Sequence, residues 1–255
     1  MAKERTGNGI TEGTIWKQIL LFFFPILFGT LFLTLYNTID AIIVGQALGK
    51  EALAAVSGGT STLTNLIIGF FTGVASGATV VISQAYGAQD GDKVKKSLHT
   101  AICLSIVFSL VISVGGFLLT KPMLTIMATP KDIFPLAESY LRIYFLGSTG
   151  LIIFNMSSGI LRAFGDSRHP LWFLVIGAIL NIILDILFIA VFRRGVKGAA
   201  EATVISQAVS ALCTLIFLGT RKGMERMEVS RMLTYDPRIL QKMLAIGLPG
   251  GIQSV

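Results

Sequence analysis

A chain of 255 residues that is 53% hydrophobic and only 14% charged, with a mean hydropathy of +0.75, lies far from the roughly 25% charged composition of soluble domains. A single water-soluble core is excluded, and the unbroken apolar runs exclude the alternating segments of about ten residues that build a transmembrane β-barrel. The net charge of +7 sits between those runs, so it reads as attraction to anionic lipid headgroups rather than as a nucleic-acid footprint.

About 20 mostly apolar residues cross a bilayer, and gaps in the charge pattern mark the spans in chain order. The first runs from about Ile19 to Val44 with Asp40 as its single charge. The second lies within Ala52 to Gln89, which carries no charge, and the third covers roughly Thr100 to Thr120. The fourth lies within Ile143 to Leu161, with a possible start near Ile133. The fifth, Pro170 to Phe192, holds only Asp185, and the sixth runs from Ala202 to Thr220. The fold class is therefore an all-α membrane protein, a bundle of six transmembrane helices in residues 1–220.

Lys and Arg set the expected orientation. Lys3, Arg5 and Lys17 at the amino end, Lys93, Lys95 and Lys96, Arg162 and Arg168, and six more between Arg221 and Lys242 lie on one side. That is 14 of the 21, which places the amino terminus in the cytoplasm. The apolar run behind Lys3 and Arg5 is too long for a signal-peptide core and no A-x-A-like site follows it closely, so a retained first span is expected. Cys103 and Cys213 fall inside spans without CxxC spacing and read as small packing residues. His99 and His169, at helix ends with polar neighbours, read as solvated interface residues rather than ligands.

A polar stretch, 221–236, reads as a cytoplasmic linker, and a new helical pattern starts at Pro237. Leu240 to Gln253 (LQKMLAIGLPGGIQ) echoes Trp16 to Gly29 (WKQILLFFFPILFG), with Pro249 opposite Pro25 at an offset of 224 residues. Many secondary transporters are built from repeats of this size, with the substrate site between them. Residues 237–255 thus read as the start of a second lobe, and the chain as an amino-terminal half. In the second span Gly69, Gly73 and Gly77 recur every four residues and present a smooth face to a neighbouring helix, a packing device rather than a ligand site. Pro25 removes a backbone donor inside the first span and is a candidate hinge.

Two acids stand at membrane depth. An Asp near the middle of a span costs roughly 2.5 to 3.5 kcal/mol on insertion scales and usually faces a bundle interior or an ion path. Gly177, Asn181 and Asp185, four apart, share one face of the fifth span, which puts an amide one turn from a carboxylate. Thr30, Thr34, Asn37 and Asp40 form a polar stripe on the first span that should face the bundle interior. A plainer alternative is that both acids only join helices by hydrogen bonds. A buried carboxylate favours its neutral form unless a polar group or cation attends it, so competition between H⁺ or Na⁺ and a cationic substrate would couple the two. No P-loop, HExxH, GxSxG or carboxylate-rich metal motif is present, so no enzyme is expected.

The segments NTIDAIIVGQALG (Asn37 to Gly49), EALAAVS (Glu51 to Ser57), SQAYGAQD (Ser83 to Asp90), LRAFGDSRHP (Leu161 to Pro170) and NIILD (Asn181 to Asp185) together resemble the amino-terminal lobe of multidrug and toxic compound extrusion (MATE) transporters. The resemblance covers essentially the whole chain. It implies one lobe of a twelve-helix, V-shaped transporter that expels cationic or amphipathic small molecules in exchange for H⁺ or Na⁺. No other cofactor is implied, and the partners are the bilayer and a carboxyl-terminal lobe. It also implies a multi-pass protein of the plasma (inner) membrane. A cation site of Asp40, Asn181, Asp185, Asn155 and Thr203 is implied too, whose occupancy would bend the first helix and release substrate. The rival readings are a lipid-linked saccharide flippase of the same superfamily, which would need several cationic side chains in its cavity, and a non-transporting membrane subunit.

Overall fold

The computed structural model describes residues 15–221 and 226–253. Lys3 and Arg5 of the expected cytoplasmic end, and 222–225 of the expected linker, lie outside them.

Helix α1 (Ile15–Leu48) is followed by α2 (Lys50–Ser57) and α3 (Gly59–Gly87), α4 (Gly91–Ile126) and α5 (Phe134–Ala163). Then come α6 (Arg168–Asp185), continued by a π-helical turn over Ile186–Val191, α7 (Val196–Thr220) and α8 (Pro237–Gln253). Among the described residues, six helical runs are long and apolar enough to cross a membrane: Ile19–Leu48, Lys50–Gly87, Gly91–Ile126, Phe134–Ala163, Arg168–Val191 and Val196–Thr220. Each overlaps a span read from the charge gaps, and the longer helices extend into the polar residues that the gaps excluded.

The second span departs from a single helix. Gly58 takes φ −80° and ψ −129°, which breaks the ladder between α2 and α3, and Ser61 Oγ caps the break by donating to the Ser57 and Gly58 carbonyls at 2.8 Å. Charge gaps do not register a one-residue break inside an uncharged run, although the Gly58–Gly59 pair is itself a local signal for one.

Helix α5 is the centre of the bundle, packed against α7, α4 and α3. Its buried residues enter all three apolar clusters, including Met156 and Ile160 beside α3 and α4, Tyr140 and Tyr144 beside α7, and Leu141 and Phe145 beside Ala55 and Leu124. Helix α1 lies on the outside, held mainly by α6 and more lightly by α2.

The glycine stripe of α3 is a seam for α8. A β-carbon on Gly77 would stand 2.6 Å from the Gly247 nitrogen, and one on Gly247 would stand 2.8 Å from the Val74 carbonyl oxygen. The two backbones are therefore in direct contact, as small residues permit where the surrounding lipid is as apolar as a side chain and packing supplies the attraction.

On the face that carries the start of α1, the connector docks by hydrogen bonds. His99 is buried, contrary to its expected place at a solvated interface: Nδ1 lies 2.7 Å from the Lys95 carbonyl, and Nε2 accepts the Glu228 N–H at 3.0 Å. Thr100 Oγ1 accepts the Asp236 N–H at 3.0 Å. The cause is long-range, since Glu228 and Asp236 come from a segment more than 120 residues away in sequence. Nearby, Asp166 in the α5–α6 turn takes Arg221 and the His169 ring, which stacks on Phe217, so the ends of α5, α6 and α7 are tied together.

Candidate ion and substrate site

Near the opposite face, α1, α5, α6 and α7 bring a set of polar side chains to one point. The Asp40 carboxyl on α1 sits beside that of Asp185 at the end of α6, close enough to share a hydrogen bond. Asp185 and Asn181 are fully buried and Asp40 half-buried. Because Asn181 and Asp185 are one turn apart, the Asn181 amide nitrogen donates to Asp185 Oδ2 at 2.8 Å while its oxygen accepts the Thr203 N–H at 3.1 Å. The reversed amide would keep only a 3.4 Å contact to Thr203 Oγ1, so the first orientation satisfies the group better. Thr203 Oγ1 itself donates to the Ala199 carbonyl at 3.0 Å.

What remains unsatisfied is informative. Asp40 Oδ1 and Asp185 Oδ1 are buried with no hydrogen-bond partner among the described residues. An orphaned buried acceptor costs roughly 1–3 kcal/mol, and two such oxygens on neighbouring carboxyl groups can accept a proton or a small cation between them. The π-helical turn begins directly after Asp185, a local widening of the kind often found at functional positions. It replaces the α-helical ladder with a different pairing, such as the Phe192 N–H to the Leu187 carbonyl at 2.8 Å.

Three tyrosines and a glutamine close the site, and reading the sequence for charge alone passes over them. Tyr36 contacts Thr203 and lies within electrostatic reach of Asp40, as does Tyr140, while Tyr144 contacts Gln207. Tyr140 and Tyr144 stack with ring centroids 6.0 Å apart. A signal existed, since Tyr36 precedes Asp40 by one turn, and Tyr140 precedes Tyr144 by one turn. A cavity of about 80 Å³ continues from Tyr36 between α1, α5, α6 and α7, along Leu33, Phe154, Gly177 and Gln207.

The other residues named from sequence lie elsewhere. Thr34 and Asn37 are exposed along α1, and Thr30, also exposed, borders a cavity between α1, α5 and α6. Thr30, Thr34 and Thr38 return their hydroxyls to the carbonyls of Ile26, Thr30 and Thr34 at 3.1, 3.0 and 2.9 Å, so the stripe needs no burial to be satisfied. Asn155 donates to the Leu151 carbonyl of its own helix at 2.9 Å and lines a separate cavity with Arg162, apart from Asp185. Pro25 lies within an unbroken α1 and borders a second cavity on the same side. Arg162, counted from sequence as a loop charge, belongs to α5 and faces both cavities. No cluster of three His, Cys, Asp or Glu suited to a metal occurs among the described residues.

A family model, MatE, matches residues 25–187. The chain is 33% identical over 243 residues to the Probable multidrug resistance protein YpnP of Bacillus subtilis, covering 95% of this chain and 54% of that one. It is 28% identical over 207 residues to the FAD transporter of Shewanella oneidensis, covering 80% and 45%. A solved structure described as the outward-facing conformation of a multidrug resistance MATE family transporter of the MOP superfamily superposes with a TM-score of 0.89 at 28% identity. That match covers 99% of this chain and 56% of the other. The chain spans about half the length of the curated relatives it matches.

Proposed function

The chain belongs to the MatE family, a family of non-enzymatic membrane transporters, and from that premise we propose that it forms the amino-terminal lobe of a secondary antiporter for organic cations. On this reading a second lobe, entered through the 221–236 linker and begun by α8, completes the substrate cleft. The protein sits in the plasma (inner) membrane with its amino end in the cytoplasm, and alternating access moves cargo outward in exchange for H⁺ or Na⁺.

The observation that carries the reading is the pair of orphaned oxygens on Asp40 and Asp185, one on the lightly held α1 and the other on the packed α6. Two carboxylates this close in a low dielectric repel strongly when both are charged, so one bound positive charge links α1 to the bundle. Asn181 and Thr203 fix the Asp185 side of the pair, leaving Asp40 and α1 as the side that responds. Binding of that charge draws Asp40 toward Asp185 and bends α1 at Pro25, and a cationic substrate competes for the same acids. A flippase for lipid-linked saccharides would need a cavity ringed by cations, whereas among the described residues these cavities share a single one, Arg162.

The test is dye efflux from proteoliposomes holding the protein with every segment its gene encodes, under imposed pH or Na⁺ gradients. Wild type should respond to one of the gradients, and Asp40→Asn and Asp185→Asn should each lose at least tenfold of the coupled rate while remaining folded. Substituted proteins that pump like wild type would make both acids packing residues. A wild type indifferent to both gradients would point to the non-transporting reading.

A further inference from the structure

The Arg162 guanidinium makes no ion pair and no hydrogen bond among the described residues, although it lies within a membrane-spanning helix. It stands between two cavities that share Asn155 as a wall. One, about 240 Å³, is lined on the α3 side by Thr72, Ser76 and Thr79. The other, about 180 Å³, runs along α1 and α6 past Pro25, Phe154 and Leu174. Arg162 lies in the last turn of α5, and a half-buried guanidinium there without a partner leaves donors free for a ligand. No carboxylate among the described residues lines either cavity.

The surroundings are those of an oxyanion site. Thr72, Ser76, Thr79 and Asn155 place their donors on carbonyls of their own helices, at 2.8, 2.6, 2.9 and 2.9 Å, and each can exchange that bond for one to a ligand. Ser158 Oγ is buried, borders the second cavity and has no hydrogen-bond partner among the described residues. A guanidinium offers five N–H donors in a planar fork that matches phosphate, and a cavity needs only about 10–15 Å³ per water, so 240 Å³ accommodates a phosphate with attendant waters. The second cavity is largely apolar, walled by Ile26, Leu33, Phe154 and Leu171, and lies under the exposed α1.

We propose that Arg162, with Ser158 and Asn155, binds the phosphate group of an anionic amphiphile whose apolar part lies along α1 and α6. The site is separate from the acid pair and does not depend on the transport reading. The phosphate could come from a phospholipid headgroup or from a free phosphorylated compound, and the experiment separates the two.

Thermal unfolding of the full-length protein in neutral detergent is measured with inorganic phosphate against chloride at equal ionic strength, and with phosphatidylglycerol against phosphatidylcholine. Ligands that bind the folded state raise the midpoint by mass action. Wild type should gain several degrees, Ser158→Ala and Asn155→Ala should lose at least half of that gain, Arg162→Lys should keep part of it and Arg162→Gln none. A gain with inorganic phosphate assigns a free anion; a gain with phosphatidylglycerol alone assigns the lipid headgroup. Either supports the proposal. It is overturned if neither ligand exceeds its control, or if Arg162→Gln responds as fully as wild type. Should Arg162→Gln fail to fold, the Ser158 and Asn155 variants decide: an undiminished response in both overturns the site, a halved one supports it.

Discussion

Helices α1 and α5 are both long, apolar and furnished with polar side chains, yet they are held in opposite ways. In α5, fifteen residues are buried and three helices pack around it. In α1 only Val44 is buried among the residues whose side chains are described, and large side chains such as Leu35, 59% exposed, lie open along its length. The more apolar of the two sequences, α1, is the less buried, so hydrophobicity does not set burial. What separates them is the size of the residues that meet neighbours: α5 sets Gly147 and Gly150 against Val204 and Ala208 of α7, and Phe145 over Gly116 of α4, whereas α1 leaves Phe and Leu side chains exposed. Where the surrounding solvent is lipid, burial of apolar surface gives little attraction and close packing gives most of it. An element without close packing is free to move.

The contrast can be broken most forcefully in α5. Phe145→Ala removes a fully buried ring from between Leu124, Leu141 and Gly116 and should cost about 3 kcal/mol or more, measured as a lowered unfolding midpoint. Next in size, Gly77→Leu drives a side chain into the Gly247 backbone and should cost about 1–3 kcal/mol. Because the strain falls on the α3–α8 seam, faster hydrogen exchange should concentrate in 237–253 and leave α6 and α7 unchanged. His99→Ala orphans the Glu228 N–H and should cost about 1–2 kcal/mol, with exchange rising across 226–236. The smallest effect belongs to α1: Leu35→Ala should stay within about 0.5 kcal/mol of wild type. A Leu35 cost equal to that of Phe145 would erase the distinction between the helices.

The positions of the six spans, the helix that begins at Pro237 and the packing role of Gly73 and Gly77 were legible from charge gaps and four-residue spacing, which are local properties. The juxtaposition of Asn181 with Asp185 was legible for the same reason. Proximity of Asp40 to Asp185 rested on the family resemblance, since nothing local ties α1 to α6. The burial of His99 was not legible, because it depends on Glu228 arriving from a distant segment, and periodicity carries no record of that. The break at Gly58 and the placement of Asn155 beside Arg162 are local, a Gly58–Gly59 pair and a seven-residue spacing on α5, and reading for charge gaps alone passes over both. The exposed hydroxyls of Thr34 and Thr38 show the converse: polar groups on a span can be satisfied by their own helix and need not be buried.

The central claim is that α1 moves against a fixed α5 when the Asp40–Asp185 pair changes its charge. Paired spin labels at Leu27 and Leu146, with Val111 and Leu212 as a control across α4 and α7, would report it in a protein whose Cys103 and Cys213 have been replaced. The account predicts that the Leu27–Leu146 distance shifts between low and high pH, or with and without Na⁺. It also predicts that Asp40→Asn with Asp185→Asn fixes that distance at one value, while the control pair stays constant throughout. A Leu27–Leu146 distance unchanged in every condition, or a control pair that moves as far, would contradict it.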